Sequence, residues 1–146
     1  MLDRLDKNSW LVAVSALAAD RSSCPRNRQG AVLAKDFFII AVGYSGSPKG
    51  LPHCEEVGCL IKKDVTSGLE RCERVVHAEV NALLSAGALT KGASLYTTGF
   101  PCLSCAKFLI NSGIVEIHYL GAITDAESEA ILKEAGVKLV EEKLKI

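Results

Sequence analysis

Two short motifs constrain the fold of this chain more than any other feature of its sequence. The first is His77-Ala78-Glu79, and the second is Pro101-Cys102-Leu103-Ser104-Cys105. Imidazole and thiolate groups are the ligands that zinc prefers in proteins. One ion can use the histidine and both cysteines only if two segments that are distant in the sequence lie side by side in the fold. The motifs therefore predict a metal centre built from two neighbouring elements.

The spacing of each motif is typical of the beginning of a helix. Cys102 and Cys105 are three residues apart, so on a helix both thiols lie on one face, where the positive N-terminal end favours thiolates. Pro101 suits the start of a helix because its missing N–H would have no partner within the helix there. His77 is predicted to open the preceding helix. In a β-α-β arrangement, the two helix N-termini can converge on one ion.

The three predicted ligands suit a catalytic zinc. His77, Cys102 and Cys105 leave the fourth tetrahedral position for water, whereas a structural zinc has four protein ligands. Zinc lowers the pKa of that water to about 7. Glu79 need not contact the metal, so it can take the proton of that water and act as a general base and acid. Glu79 is therefore the predicted catalytic residue. A redox-active cysteine pair is the alternative interpretation, but it would give no role to His77 or Glu79.

Helices and strands alternate along the predicted secondary structure. Apolar residues recur at helical spacing from Asn8 to Arg21, and two β-rich runs follow, separated by a tight turn at Lys35-Asp36. The predicted helices are 8–21, 77–86, 102–112 and 125–135, and the predicted strands are 30–34, 37–44, 94–98, 116–120 and 138–144. This alternation indicates an α/β fold with three layers (α/β/α) and a partly parallel sheet.

Composition indicates a single globular domain over residues 1–146. Of the 146 residues, 49% are hydrophobic, which is enough for one core. The 17 basic and 17 acidic residues give zero net charge, so long nucleic acid is disfavoured as a partner and a small molecule is favoured. The apolar stretch after Asn8 ends at Asp20, which makes it too short to cross a bilayer, and nothing resembles a cleaved signal peptide. We therefore expect a cytoplasmic protein with no membrane partner.

Residues 45–75 form a cysteine-bearing insertion that is rich in glycine, proline and charge. A loop of about 30 residues within a compact domain is usually functional or held in place. Four soft ligands suggest a second, structural zinc that pins the insertion to the end of the first helix. They are Cys24, Cys54, Cys59 and Cys72, with His53 as the alternative to Cys54. Buried free thiols are the other interpretation of these cysteines.

From Trp10 to Val137 the chain resembles the deoxycytidylate (dCMP) deaminase family of the cytidine deaminase-like superfamily. The resemblance rests on the two metal-ligand motifs, which are the signature of zinc-dependent nucleobase deaminases, and on several further segments. These segments are Arg21-Ser22-Ser23-Cys24, Gly30-Ala31-Val32, Gly43-Tyr44-Ser45-Gly46-Ser47-Pro48-Lys49-Gly50, His53-Cys54, Gly58-Cys59 and Ala135-Gly136-Val137.

The resemblance implies a five-stranded mixed sheet flanked by helices, a homo-oligomer that is often a hexamer, and hydrolysis of dCMP to dUMP, which feeds thymidylate synthesis. It also implies that the Ala78 backbone reads the pyrimidine carbonyl and that Phe100 packs near the ring. Phe100 stands just before Pro101, where tRNA adenosine deaminases usually carry an acidic residue. The family's Gly-Tyr-Asn-Gly is Gly43-Tyr44-Ser45-Gly46 here, so Ser45 replaces an amide that could contact nucleotide.

A phosphate group on the substrate needs cations or backbone amides. Arg26 and Arg28, beside the first strand, and Lys49, in the glycine-rich turn, are the predicted contacts, and the forked guanidinium favours the arginines. A solvated basic loop is the alternative interpretation of these residues. Two other functions stay open at this point. One is deamination of another cytosine nucleotide, a nucleoside or tRNA adenosine on the same fold, and the other is a non-catalytic, zinc-stabilised binding module.

Overall fold

A mixed sheet of five strands organises the computed structural model, which describes residues 2–146. The helices are α1 (Lys7–Ala19), α2 (Cys54–Val57), α3 (Ala78–Ala86), α4 (Leu103–Asn111) and α5 (Ala126–Glu134), with a 3-10 turn at Gly87–Thr90. The strands are β1 (Gly30–Lys35), β2 (Phe38–Tyr44), β3 (Ile61–Lys63), β4 (Glu70–Cys72), β5 (Ser94–Thr97), β6 (Glu116–Leu120) and β7 (Lys138–Glu142).

The strand order in the central sheet is β2-β1-β5-β6-β7. β1 is antiparallel to both of its neighbours, whereas β5, β6 and β7 are parallel to one another. Parallel neighbours need a crossover, and α4 and α5 supply the two crossovers. The prediction of an α/β fold with a five-stranded mixed sheet is confirmed.

Side chains that alternate along the central strands pack into two separate clusters. Ala31 and Leu33 of β1 pack in a cluster that also contains buried residues of α3, α4 and α5. Val32, which points to the opposite face, packs in a second cluster with Tyr96 and with Leu11 of α1. Because the period of a strand is two residues, this division places helices on both faces of the sheet. The predicted three layers are confirmed.

Two glycines let helices lie directly against the sheet. A Cβ atom on Gly43 of β2 would lie 2.3 Å from the carbonyl oxygen of Ala78 in α3. A Cβ atom on Gly30 of β1 would lie 2.0 Å from the carbonyl oxygen of Ser15 in α1. Real Cβ atoms do not approach backbone atoms so closely, so any side chain at either position would push the helix away. The close contact at Gly43 fixes where α3 begins.

The turn between β1 and β2 is shifted by one residue from the predicted Lys35-Asp36. Lys35 pairs with Phe38 as the last residue of β1. The turn residues are Asp36 and Phe37, with φ angles of 51° and 67°. A two-residue hairpin turn with positive φ at both positions matches the twist of the flanking strands. The backbone requirement therefore places an aromatic residue in a conformation that it rarely adopts.

The insertion at residues 45–75 is more ordered than the predicted loop. It contains the short helix α2 and a hairpin of β3 and β4, which form their own two-stranded sheet. Each of these strands has three residues, too few for an alternating pattern to be recognised in the sequence. Among residues 2–146, no helix has the length and apolar character needed to cross a membrane.

Candidate active site

The structure brings His77, Cys102 and Cys105 together at the N-termini of α3 and α4. His77 is the N-cap of α3 and Cys102 is the N-cap of α4, both with extended backbone, and neither side chain makes a capping hydrogen bond. His77 Nδ1 lies 3.3 Å from Cys105 Sγ and 3.5 Å from Cys102 Sγ. The two side chains that could cap these helices are therefore turned towards each other instead.

The ligand separations fit a tetrahedral zinc ion. Zn–S bonds of about 2.3 Å and Zn–N bonds of about 2.05 Å at a tetrahedral angle place nitrogen and sulfur about 3.5 Å apart. The three ligand atoms of His77, Cys102 and Cys105 lie within 4.8 Å of one another, and both nitrogen-to-sulfur distances are close to the tetrahedral value. The donor set and its geometry suit one zinc with a fourth position left open.

The close packing of His77, Cys102 and Cys105 shifts the pKa of all three side chains. A hydrogen bond from Cys105, followed by one from His77, lowers the pKa of Cys102 to about 4. The same pairing with Cys102, together with burial, raises the pKa of Cys105. The pKa of His77 is raised, mainly by its hydrogen bond with Cys102. Zinc binding must displace the remaining protons, so metal affinity falls as the pH falls.

Glu79 lies beside this group in the first turn of α3. Its side chain is buried, with 6% of the residue exposed, and its Oε2 lies 3.9 Å from Cys105 Sγ. Burial raises the pKa of the Glu79 carboxyl above its usual value. A carboxyl group that exchanges its proton nearer to neutral pH is suited to general acid and base catalysis. Its position matches the predicted proton shuttle.

A cavity of about 390 Å³ opens onto the ligand group. His77, Cys102, Phe100 and Arg26 are among the residues that line it. Its volume is within the range of small-molecule sites. Phe100 is buried and packs edge to face against Tyr119, with ring centroids 4.9 Å apart, so its position in the wall is fixed.

Ala78 is fully buried as the first residue of α3. The backbone N–H groups of the first helical turn have no partner within the helix. Its backbone N–H is therefore suited to donate a hydrogen bond to a substrate carbonyl.

Two of the three residues predicted to contact phosphate, Arg28 and Lys49, do not line this cavity. Arg28 donates from Nη2 to the carbonyl oxygen of Asp20 (2.7 Å) and forms an ion pair with the Asp20 carboxylate (3.6 Å), so it is held against the end of α1. Lys49 lines a different cavity of about 890 Å³, beside β2 and α3. Of the three predicted cations, Arg26 does line the cavity that contains His77 and Cys102, together with its neighbour Asn27.

Ser45 is buried and does not line the cavity, so the predicted contact between Ser45 and the substrate is not supported. The residue is 3% exposed. Its hydroxyl donates to the carbonyl oxygen of Asn27 (3.0 Å) and accepts from the backbone N–H of Gln29 (3.0 Å). Ser22 Oγ lies a further 2.7 Å from it. These partners use the full bonding capacity of a hydroxyl, so Ser45 holds the backbone together.

Arg71 lines the metal cavity and was not predicted from the sequence. It is the middle residue of β4 and lies in the same wall as Cys72. A three-residue strand inside a charged insertion carries no periodic signal, so nothing in the sequence separates Arg71 from its solvated neighbours. Its position directly before Cys72, a predicted metal ligand, is a signal in the sequence that could have identified it.

A second cysteine cluster lies within the insertion. The sulfur atoms of Cys54, Cys59 and Cys72 lie within 4.8 Å of one another, and the Cys54 and Cys72 sulfurs are 3.8 Å apart. Two sulfurs on one tetrahedral zinc are expected about 3.8 Å apart. Burial raises the pKa of Cys54 to about 11. For Cys72, burial acts in the same sense, but hydrogen bonds from backbone N–H groups outweigh it and lower the pKa.

The other two predicted ligands lie outside this cluster. Cys24 is buried, accepts a hydrogen bond from the backbone N–H of Asn27 (3.4 Å), and lines the same cavity as Cys72. His53 is exposed and lines the cavity beside β2. The structure thus favours Cys54 over His53. All six cysteines, which lie within the described residues, are free thiols.

Comparison with known proteins identifies relatives along most of the chain. A family model described as the cytidine and deoxycytidylate deaminase zinc-binding region matches residues 5–121. ComE operon protein 2 of Bacillus subtilis (strain 168) is 38% identical over 140 residues, which cover 93% of this chain and 71% of that protein. The deoxycytidylate deaminase of Saccharomyces cerevisiae is 38% identical over 134 residues, covering 89% of this chain and 43% of the yeast protein.

A solved structure shares the architecture. The dCMP deaminase from the cyanophage S-TIM5, in complex with dCMP and dUMP, aligns with a TM-score of 0.72 and 25% sequence identity. The alignment covers 90% of this chain and 93% of the cyanophage chain. The chain spans less than half the length of the yeast relative but nearly the whole length of the cyanophage one.

Proposed function

The chain belongs to the cytidine and deoxycytidylate deaminase family, and we propose that it is a hydrolase that converts dCMP to dUMP and ammonia. The observation that carries the proposal is the position of Glu79. Its buried carboxyl lies against a three-ligand metal group that opens onto a cavity of about 390 Å³. A structural zinc has four protein ligands, so a buried carboxyl beside a group of three ligands is not expected at a structural site.

Each residue of the site has a separate role in the proposed reaction. His77, Cys102 and Cys105 would hold zinc, which supplies the Lewis acidity that makes water nucleophilic near neutral pH. Glu79 takes the proton of the attacking water and gives it to the ring nitrogen next to the attacked carbon. It then takes the second proton, from the hydroxyl group that water has added to that carbon, and passes it to the amino group, so that the carbon–nitrogen bond breaks, the carbonyl forms and ammonia leaves. Meanwhile the Ala78 N–H holds the pyrimidine carbonyl, and Phe100 forms the wall beside the ring.

Replacing Glu79 by glutamine tests this proposal. Glu79→Gln keeps the size and polarity of the side chain but cannot carry the proton, so ammonia release from dCMP should fall by about 10²–10⁴-fold. The variant should keep the zinc content and melting temperature of the wild-type protein. Glu134→Gln, an exposed substitution at the end of α5, is the matched control. The assay should include deoxycytidine, CMP and dCTP, because turnover of one of these in place of dCMP would correct the substrate. Unchanged activity in Glu79→Gln would favour a binding module instead.

A second zinc is part of the proposal. Cys54, Cys59 and Cys72 supply three thiols at separations that suit zinc. We assign Cys24 as the fourth ligand because it lines the same cavity as Cys72, whereas His53 lines another. Four protein ligands would close the site and make this zinc structural. Because thiols must be reduced to bind zinc, a cytoplasmic location belongs to the same proposal.

A single domain that assembles as a homo-oligomer completes the proposal. Phe38, Val42 and Tyr44 of the edge strand β2 are 77%, 42% and 38% exposed. Apolar side chains at an unpaired sheet edge are typical of a surface that another chain covers. Light scattering distinguishes a hexamer from a smaller assembly.

A further inference from the structure

The β3–β4 hairpin carries an unbalanced pair of cations. Lys62 of β3 stands directly opposite Arg71 of β4, whereas the next pair joins Lys63 to Glu70. Like charges directly opposite each other on antiparallel strands repel, and opposite charges attract. Among residues 2–146, neither Lys62 nor Arg71 forms an ion pair with a carboxylate. The carboxylates of Asp64, Glu73, Asp125 and Glu127 line one cavity with both cations but, among the residues described, pair with neither, so both cations keep hydrogen-bond donors for an external anion.

Arg71 extends this positive face into the metal cavity. It lines the cavity together with His77 and Cys102, and Arg26 lines it from the segment before β1. Arg26, like Arg71, makes no ion pair within the described residues. Two arginines from different elements thus face one cavity without a partner.

Two acidic residues, Glu70 and Asp125, also line the cavity. The carboxylate of Asp125 accepts hydrogen bonds from the backbone N–H groups of Leu103 and Ser128, each at 3.0 Å. It thereby satisfies the starts of α4 and α5. Glu70 stands opposite Lys63. Neither carboxylate forms an ion pair with Arg26 or Arg71 within the described residues, so both guanidinium groups keep their hydrogen-bond donors for a ligand.

We propose that Arg71 is the residue that recognises the substrate's phosphate, with Arg26 as the second cation from the other wall. This inference rests on the proposed function, which places the pyrimidine at Glu79 and so leaves the phosphate at the mouth of the cavity. A guanidinium can donate two parallel hydrogen bonds to phosphate oxygens, which gives direction as well as charge. Arg71 is next to Cys72 in the chain, so the cysteine cluster holds the strand that carries it. The structure thus gives the insertion a role in substrate selection.

Binding of the product and its nucleoside separates this role from a structural one. Isothermal titration calorimetry would measure the Kd of dUMP and of deoxyuridine for zinc-loaded protein. In Arg71→Gln, the Kd of dUMP should rise about 10- to 100-fold, while the Kd of deoxyuridine should not change. In dCMP turnover the KM should rise with little change in kcat. Arg71→Lys keeps the charge without the fork and should recover part of the affinity. Lys63→Gln, on the same hairpin, is the control and should bind dUMP like the wild-type protein.

Three results would overturn the inference while leaving deamination intact. The first is wild-type affinity for dUMP in Arg71→Gln. The second is an equal loss for dUMP and deoxyuridine, because that pattern indicates a distorted cavity rather than a lost phosphate contact. The third is a wild-type protein that binds dUMP no better than deoxyuridine. Failure of the proposed function looks different, because the wild-type protein would then release no ammonia from dCMP, dCTP, deoxycytidine or CMP.

Discussion

Ser45 acts on the active site from a distance. Its hydroxyl bonds to the backbone on both sides of Arg28, at Asn27 and at Gln29. The backbone N–H of Ser45 also donates to the carbonyl oxygen of Gln29. These bonds fix the segment that enters β1, and Arg26 projects from the same segment. A short hydroxyl fits this buried position, so the residue that replaces the family's asparagine organises a cavity wall.

Asp6 provides a pH-dependent contribution at the residue scale. Its carboxylate caps α1 by accepting from the backbone N–H of Ser9 (2.9 Å), and Lys145 Nζ lies 3.1 Å away. These hydrogen bonds, led by the one from the Ser9 backbone, hold the pKa of Asp6 below its ordinary value of 3.8. A carboxyl whose pKa is lowered by folding stabilises the folded state above its ordinary pKa. That contribution is lost as the pH falls towards the folded pKa.

Asp6→Ala should therefore lower the melting temperature at pH 7, and the difference from the wild-type protein should shrink as the pH falls below about 4. Asp6→Asn should lose less at pH 7, because an asparagine side chain still accepts the capping bond. Thermal unfolding followed by circular dichroism across this pH range is the measurement, with Asp3→Ala as the control. A difference of the same size at pH 3 and pH 7 would contradict the assignment.

The contact between β2 and α3 is decisive at the scale of elements. Gly43 lies directly against the Ala78 carbonyl, and Asn81 Nδ2 of α3 donates to the carbonyl oxygen of Tyr44 (2.8 Å). Both contacts join the edge strand to the helix that carries Glu79. The strand β2 thus helps to position the helix that carries Glu79, although no residue of β2 lines the cavity.

Gly43→Ala should reduce both stability and turnover. The added methyl group meets backbone atoms, so α3 must move, at a cost of about 1–3 kcal/mol. Gly30→Ala makes a similar clash with α1, which carries no proposed site residue, and it is the matched control. It should lower the melting temperature by a similar amount but keep the kcat per folded molecule. Equal losses of kcat in the two variants would show that the position of α3 is not the cause.

Long elements could be predicted from the sequence and short ones could not. The predicted helices and strands end within two residues of the observed ends, because each carries an apolar period of its own. His77, Cys102 and Cys105 could be grouped from the sequence because all three residues lie at helix starts, and the structure brings their ligand atoms together. The exclusion of Arg28 and the presence of Arg71 depend on how distant segments pack, and no local pattern records that packing. The sequence does place Cys54, Cys59 and Cys72 in one predicted metal site, and the structure brings their sulfur atoms together.

At the scale of the whole molecule, the insertion has little apolar burial to order it, and the proposed second zinc would supply a link. The insertion's own apolar residues are largely exposed, with Val65 at 100%, Leu69 at 58% and Val57 at 52%. Burial of apolar surface therefore contributes little to ordering this segment. A metal at Cys54, Cys59 and Cys72 would offset the entropy of ordering it.

Cys59→Ser should lower the zinc content from about two ions per chain to about one. It should also lower the melting temperature, because the insertion loses a link to the rest of the molecule. Zinc is counted by atomic absorption, and the chain is counted by its amino-acid content. Cys24→Ser should lose the same ion if Cys24 completes the site, and His53→Gln should keep both. If Cys59→Ser keeps two zinc ions and the wild-type melting temperature, the proposal of a second zinc site at these cysteines is wrong.

The two helix starts at the catalytic centre have a wider consequence. His77 and Cys102 occupy N-cap positions, where a serine or aspartate would ordinarily bond to the free backbone N–H groups of the first turn. Neither side chain makes that hydrogen bond. The ion that they would share then joins two helix ends as well as supporting chemistry. On the proposed function, a cell that runs short of zinc would lose the link between these helix starts together with turnover, so nucleotide supply would follow metal supply.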